Sequence, residues 1–164
     1  MMVELRDATP ADLAAIAAIY NQSVVDSTAS WDYEPWTAAQ HADWYAYKVE
    51  RGFPLLVAVD ADQVVGYASY GEFHHKIGYD RTRELSIYLA EAARGKGVGT
   101  TLMRALIDHA RADGVHVLVG GLSADNEASV RLHRKMGFVE VARMPQVGRK
   151  FDRWLDLVYM QLVL

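Results

Sequence analysis

Between Arg94 and Gly99 the chain reads Arg-Gly-Lys-Gly-Val-Gly, in which three glycines alternate with two cations and Val98. Such a run can hold an anion, because Gly95, Gly97 and Gly99 leave backbone N–H groups unobstructed at a helix start while Arg94 and Lys96 add positive charge. Two nucleotide fingerprints fit badly. A Walker A loop ends in Gly-Lys-Ser/Thr, and a dinucleotide loop is spaced Gly-x-Gly-x-x-Gly, whereas these glycines are spaced Gly-x-Gly-x-Gly. On residue types alone, a flexible turn with solvated cations competes with the anion cradle. Just upstream, Glu84, Ser86 and Tyr88 alternate with Leu85, Ile87 and Leu89, so a strand here has one polar and one apolar face. The adjacent His74 and His75 invite a metal, but no carboxylate/histidine set stands at metal-ligand spacing. A solvated histidine pair and no metal are therefore expected. The chain has no cysteine, which excludes disulfides, thiolate catalysis and cysteine-ligated metals.

The elements that must position these groups follow from periodicity. "ELSIYL" reads as the strand before the glycine run. Val98, Leu102, Leu106, Ile107 and Ala110 then recur at helical spacing to an end near Gly114. Thr9 caps a first helix with Pro10 at its first position and Leu13, Ile16, Ala17 and Tyr20 on one face. A second helix over "AAQHADWYAYKVERG" is closed by Gly52. The connector between these helices carries Trp31, Tyr33 and Trp36, which can either cap the core or form a binding wall. "PLLVAVD" and "QVVGYASYG" are strands joined by a tight turn at Asp60 to Gln63. "VHVLVGGLS" is apolar enough for a central strand covered on both faces. Asp125 or Asn126 caps a short helix that Gly137 ends. "FVEVARMPQ" and "DLVYMQLVL" are expected as a final antiparallel pair bridged by a loop, "VGRKFDRW". The pattern predicts a mixed α/β (α+β) sheet in one domain spanning 1–164.

With 164 residues, 51% of them hydrophobic and 23% charged, the chain can bury an ordinary globular core. No apolar run has the ~18 residues needed to cross a bilayer, and the beginning of the chain lacks a signal-peptide pattern, so a cytoplasmic location with no membrane partner is expected. The formal charge of −4 disfavours nucleic acid as a partner.

Taken together, "RGKGVG" and "NEASVRLHRKMGF" resemble the pyrophosphate and pantetheine segments of the Gcn5-related N-acetyltransferase (GNAT) superfamily. The segments "RDATPADLAAIAAIYN", "STASWDYEP", "GFPLLVA", "VVGYASYG", "ELSIYL" and "VGRKFDRWLDLVYMQ" resemble, in order, its phosphinothricin and methionine sulfoximine N-acetyltransferases. The resemblance covers almost the whole chain. It implies the acyl-CoA N-acyltransferase fold, a mostly antiparallel sheet flanked by helices, with acetyl-CoA as cosubstrate. It also implies transfer to the α-amine of a small amino acid or analogue, with another primary amine or a non-catalytic acyl-CoA sensor as alternatives. By the same resemblance, backbone at Ile87, Tyr88 and Leu89 pairs with pantetheine, and Arg94, Gly95, Lys96, Gly97, Val98 and Gly99 hold the pyrophosphate. Asn126, Ser129 and His133 then contact the arm. Glu84 matches the family's catalytic glutamate, and His133 replaces a frequent tyrosine, as proton donor or as cofactor contact only. Trp31, Glu72, Phe73, His74, His75 and Glu84 are the acceptor candidates, with His74 where many relatives carry arginine. The apolar C-terminal strand and the resemblance together imply a homodimer.

Overall fold

A computed structural model describes residues 1–164. Strands β1 (Glu4–Asp7), β2 (Leu55–Asp60), β3 (Gln63–Glu72), β4 (Thr82–Leu89), β5 (Val117–Ser123), β6 (Val139–Lys150) and β7 (Arg153–Val163) form one seven-stranded sheet. Its order is β1-β2-β3-β4-β5-β7-β6. Helices α1 (Leu13–Asp26), α2 (Ala38–Glu50), α3 (Val98–Ala112) and α4 (Glu127–Lys135) flank it. Every neighbouring pair is antiparallel except β4 and β5. This is the mixed, mostly antiparallel α/β architecture expected.

The helix starts follow their caps. Asp12 accepts from the Thr9 backbone N–H at 2.7 Å and grips the Arg6 guanidinium at 2.7 and 2.9 Å, fixing β1 to the turn that opens α1. Thr37 and Gln40 exchange bonds of 3.2 and 2.8 Å in a reciprocal cap on α2. Each face of the sheet buries its own cluster. Val98, Leu102, Met103, Leu106, Ile107 and Ala110 of α3 pack against Leu85, Leu118, Val158 and Met160. Ile16 and Ile19 of α1 pack against Leu55, Val57 and Tyr67. The β2–β3 turn places Ala61 and Asp62 at φ 46 and 65°, the left-handed pair whose twist suits a two-residue hairpin.

The last hairpin departs from expectation. Instead of a loop over "VGRKFDRW", both strands run through that segment and meet at Phe151–Asp152, with φ 52 and 57°. Basic and aromatic side chains suit an exposed two-stranded arm, so their polarity was not a loop signal. Gln146 at φ 56° sits where the register shifts between Met144 and Gly148, a bulge that keeps the arm paired to its tip.

The β4–β5 junction matters most for function. Parallel pairing holds only at Thr82–Val117, Arg83–Leu118 and Glu84–Val119. Beyond Glu84 the strands part, β4 staying paired with β3 as far as Leu89 and β5 with β7 as far as Ser123. The inner edge of β4 from Leu85 to Leu89 is left free of β5.

Candidate active site

The parted strands open onto a cavity of about 780 Å³, bounded by β4, the glycine run, the N-terminal end of α3, one face of α4, the loop after α1 and the tip of the β6–β7 arm. Ile87, Tyr88, Leu89, Arg94, Gly95, Gly97, Gly99, Asn126 and Ser129 all line it, so segments distant in sequence meet there. Gly95 and Gly97 adopt φ 73 and 86°, a conformation that strains other residues and turns the chain into α3. The first turn of α3, whose N–H groups have no partner within the helix, therefore borders the cavity at Gly97, Gly99 and Thr100, and no atom of a non-adjacent residue lies within 4 Å of where a side chain would begin at Gly95 or Gly97. Val98 is instead buried in the α3 core, and Lys96 is exposed and does not line the cavity.

Cations beyond the sequence-based set join the site. Arg131, Lys135 and Arg153 line the cavity with Arg94, whereas Arg134 turns away and approaches Glu140 at 3.7 Å. The spacing of Arg131 and Lys135, one helical turn apart, was the available signal. Asp125 ties the cavity's outer wall together, accepting from Thr28 Oγ1 at 2.8 Å and Ser123 Oγ at 2.6 Å and pairing with Arg153. Lys150, 4% exposed, donates to the Ser27 and Ser30 carbonyls at 2.8 and 2.6 Å, clasping the loop after α1 to the arm. Of the two expected caps, Asn126 starts α4, its Oδ1 accepting from Ser129 N–H at 3.2 Å. Its amide NH₂ remains able to donate toward the cavity.

His133 lies on the α4 side, behind β5. Its ring sits against Gly120, where a Cβ would come within 2.5 Å of Nε2. Nδ1 lies 2.8 Å from the Ser129 carbonyl, so it carries the hydrogen and Nε2 presents a lone pair. Nε2 is the one buried side-chain nitrogen or oxygen without a partner. Burial pushes the imidazole pKa down, only partly offset by the Ser129 bond, which favours the neutral ring. His133 does not line the cavity.

On the opposite face, Glu84 sits where the strands begin to part, with Oε1 reaching over Gly121. Burial pushes its carboxyl above the ordinary range, and no ion pair counters this. Tyr159 of β7, across from Gly121, stands beside it, its phenol raised by burial and then by the Glu84 charge. The expected acceptor residues are partly gathered here. Phe73 lies edge-on to Tyr159 at 6.3 Å and to Tyr79 at 5.7 Å. His74 stacks on His75 at 4.6 Å and tilts against Tyr79. Glu72 pairs with Arg51 at the end of α2, and Trp31 covers Gly148 on the arm. Tyr33 is exposed, its hydroxyl donating to the Arg149 carbonyl, and Trp36 packs on Tyr20 and His41. No group of three or more His, Cys, Asp or Glu is placed to hold a metal ion. No helix is long and apolar enough to cross a membrane.

Comparisons with known proteins place the chain among acetyltransferases. The chain is 47% identical over 163 residues to an L-methionine sulfoximine/L-methionine sulfone acetyltransferase of Pseudomonas aeruginosa, covering 99% of this chain and 95% of that one. A crystal structure of ribosomal-protein-alanine N-acetyltransferase from Brucella melitensis superposes with TM-score 0.96 at 47% identity, covering 98% and 99% of the two chains. An acetyltransferase of Salmonella typhimurium, solved with its cofactor acetyl-CoA, superposes with TM-score 0.96 at 44% identity over 99% and 94%. The acetyltransferase (GNAT) family model matches residues 16–138, from the first helix through the parted strands and glycine turn to Phe138 beyond α4. The chain belongs to this family.

Proposed function

We propose that this protein transfers an acetyl group from acetyl-CoA to the α-amine of a small amino acid or analogue, with methionine sulfone, methionine sulfoximine and phosphinothricin as candidate acceptors. The observation that carries the reading is the parting of β4 and β5 immediately after a half-buried glutamate, above a cavity that ends on a glycine-lined helix start. Acetyl-CoA fits the residues present. The free edge of β4 offers backbone groups at Ile87, Tyr88 and Leu89 to the amides of an extended arm, as a sheet edge does. The backbone of Arg94–Gly99, with Arg94 and Lys96 nearby, suits a pyrophosphate. When bound, the cosubstrate supplies an activated thioester.

The chain's own residues then divide the work. Glu84, as carboxylate, attracts the acceptor ammonium and takes its proton, directly or through a water, leaving a neutral nucleophile. A β4 backbone N–H supports negative charge on the carbonyl oxygen. Asn126 and Ser129 fix the pantetheine arm. His133, neutral and bonded through Nδ1, acts in this reading by packing behind Gly120 rather than as proton donor. Trp31, Phe73, His74 and His75 border the acceptor, and Glu72 acts through its Arg51 pair. A homodimer fits the exposure of Val139, Met144 and Val147 along the edge strand β6 and of Trp154 beside it.

A second reading, acetylation of a peptide N-terminus, draws on the likeness to the Brucella enzyme. A thiol-release screen with acetyl-CoA against methionine sulfone, methionine sulfoximine, phosphinothricin, an alanyl peptide and spermidine separates the two. Turnover of methionine analogues or phosphinothricin is expected. Strong turnover of the peptide alone rejects the amino-acid assignment.

A further inference from the structure

The second glycine of the mid-strand pair in β5 is not explained by packing or backbone conformation. Consecutive glycines weaken a strand and mark close approach of another group. Gly120 has its reason on one face, where the His133 ring occupies the space of a side chain. Gly121 faces the other way and has no positive φ. A Cβ there would lie 3.4 Å from Glu84 Oε1 and 3.4 Å from Tyr159 Cε1, in ordinary contact with both. The carboxylate and the ring therefore flank the same side-chain-free point over Gly121, so the space above it is bordered by an anion on one side and an aromatic ring on the other.

We propose that the acceptor enters as an ammonium ion seated over Gly121, between the Glu84 carboxylate and the Tyr159 ring, and that Tyr159 thereby selects cationic amines. The inference rests on the acetyltransferase reading and adds two specificity-determining residues to it, Gly121 and Tyr159. Three observations support the seat. Glu84 is half buried without a cation of its own, so the site lacks a positive charge that a ligand can bring. The seat lies at the head of the cleft, since Gly121 follows the last β4–β5 pair, Glu84–Val119, by two residues. The Tyr159 ring is held by Phe73, which is itself held by Tyr79, giving a fixed aromatic wall rather than a mobile one. A desolvated cation over the face of an aromatic ring is attracted by the ring quadrupole. The proton that the ammonium must release has Glu84 as its acceptor in the same seat.

The test compares L-methionine sulfone with its des-amino analogue 4-(methylsulfonyl)butanoate, on wild type, Tyr159→Phe, Tyr159→Leu and Gly121→Ala. For the amine, KM and the calorimetric affinity for the CoA-bound enzyme are measured; for the analogue, the inhibition constant. Thermal melts and acetyl-CoA affinity verify folding and the cofactor site. Tyr159→Leu should weaken the amine about tenfold and leave the analogue unchanged. Tyr159→Phe should retain amine binding, and Gly121→Ala should weaken it with acetyl-CoA affinity intact. Equal weakening of amine and analogue would reduce Tyr159 to a steric wall and overturn the proposal, as would no change in either. Should wild type acetylate spermidine or a peptide but not methionine sulfone, the amino-acid reading falls, and the same comparison on that amine and its des-amino analogue still decides the seat.

Discussion

Glu84 and Gly120 give the two most direct tests at the scale of single residues. Glu84→Gln should lower kcat by about 10²–10⁴-fold, the range for losing a positioned base, while calorimetry finds acetyl-CoA affinity unchanged. Only the carboxylate form accepts a proton, and burial raises the pH at which that form is lost. The acidic limb of kcat/KM in wild type should therefore lie above the ordinary carboxylate range, with activity falling as pH falls through it, and Glu84→Gln should lack that limb. Gly120→Ala should be a stability variant. Its Cβ would meet a His133 ring held by the Ser129 carbonyl, so overpacking of about 1–3 kcal/mol is expected, read as a lowered melting temperature. The role expected for Glu84 came from the family resemblance, and its place on one face with Ser86 and Tyr88 was legible from the alternation of the strand. Tyr159 was not, because "LDLVYMQLVL" is apolar on both sides and only the β5–β7 register sets its ring opposite Gly121.

Among the elements, the β6–β7 arm carries the largest difference from sequence expectation and two predictions. Its length was hidden because the bulge at Gln146 interrupts the alternation that marks a strand. The arm closes the outer wall of the cavity through Asp125–Arg153, 28 positions apart, and through the Lys150 clasp, which links residues more than a hundred positions apart. Asp125→Ala should raise KM for acetyl-CoA several-fold with kcat nearly unchanged, since the side chain bounds the cavity proposed for acetyl-CoA and is not among the contacts of Glu84; initial rates at varied acetyl-CoA measure this. The edge strand β6 is the proposed dimer surface. Wild type should sediment at twice the chain mass of 18.3 kDa, and Met144→Lys, which places a charge on the exposed edge, should shift it toward the single chain.

Across the whole molecule, buried titratable groups set the stability profile in alkaline solution. Burial pushes the Lys48 ammonium down to about 8, where it donates to the Tyr70 carbonyl at 2.9 Å beside Trp44 and Phe53. Folding therefore penalises the charged amine, and stability should rise as pH climbs from about 8 toward the unfolded lysine value near 10.4. The phenols of Tyr20, Tyr67, Tyr70, Tyr88 and Tyr159 are all raised by burial, Tyr88 to about 12. Their contribution is complete below pH ~10 and is lost as pH rises further. Chemical denaturation from pH 7 to 11 should show a maximum between these regimes, and Lys48→Met should flatten the rising side.

Several features were determined by the sequence alone, because they are local. The four helices, the glycine turn into α3 and the alternating face of β4 depend on caps, periodicity and φ preferences within a few residues. The tertiary structure decided what needs distant partners. Parallel pairing that stops at Glu84 makes the cleft, His133 lies behind Gly120 rather than in the cavity, and Gly121 meets Glu84 and Tyr159 from three different strands. Strand register and the separation of two backbones are set by long-range pairing, so no short window of residues contains them.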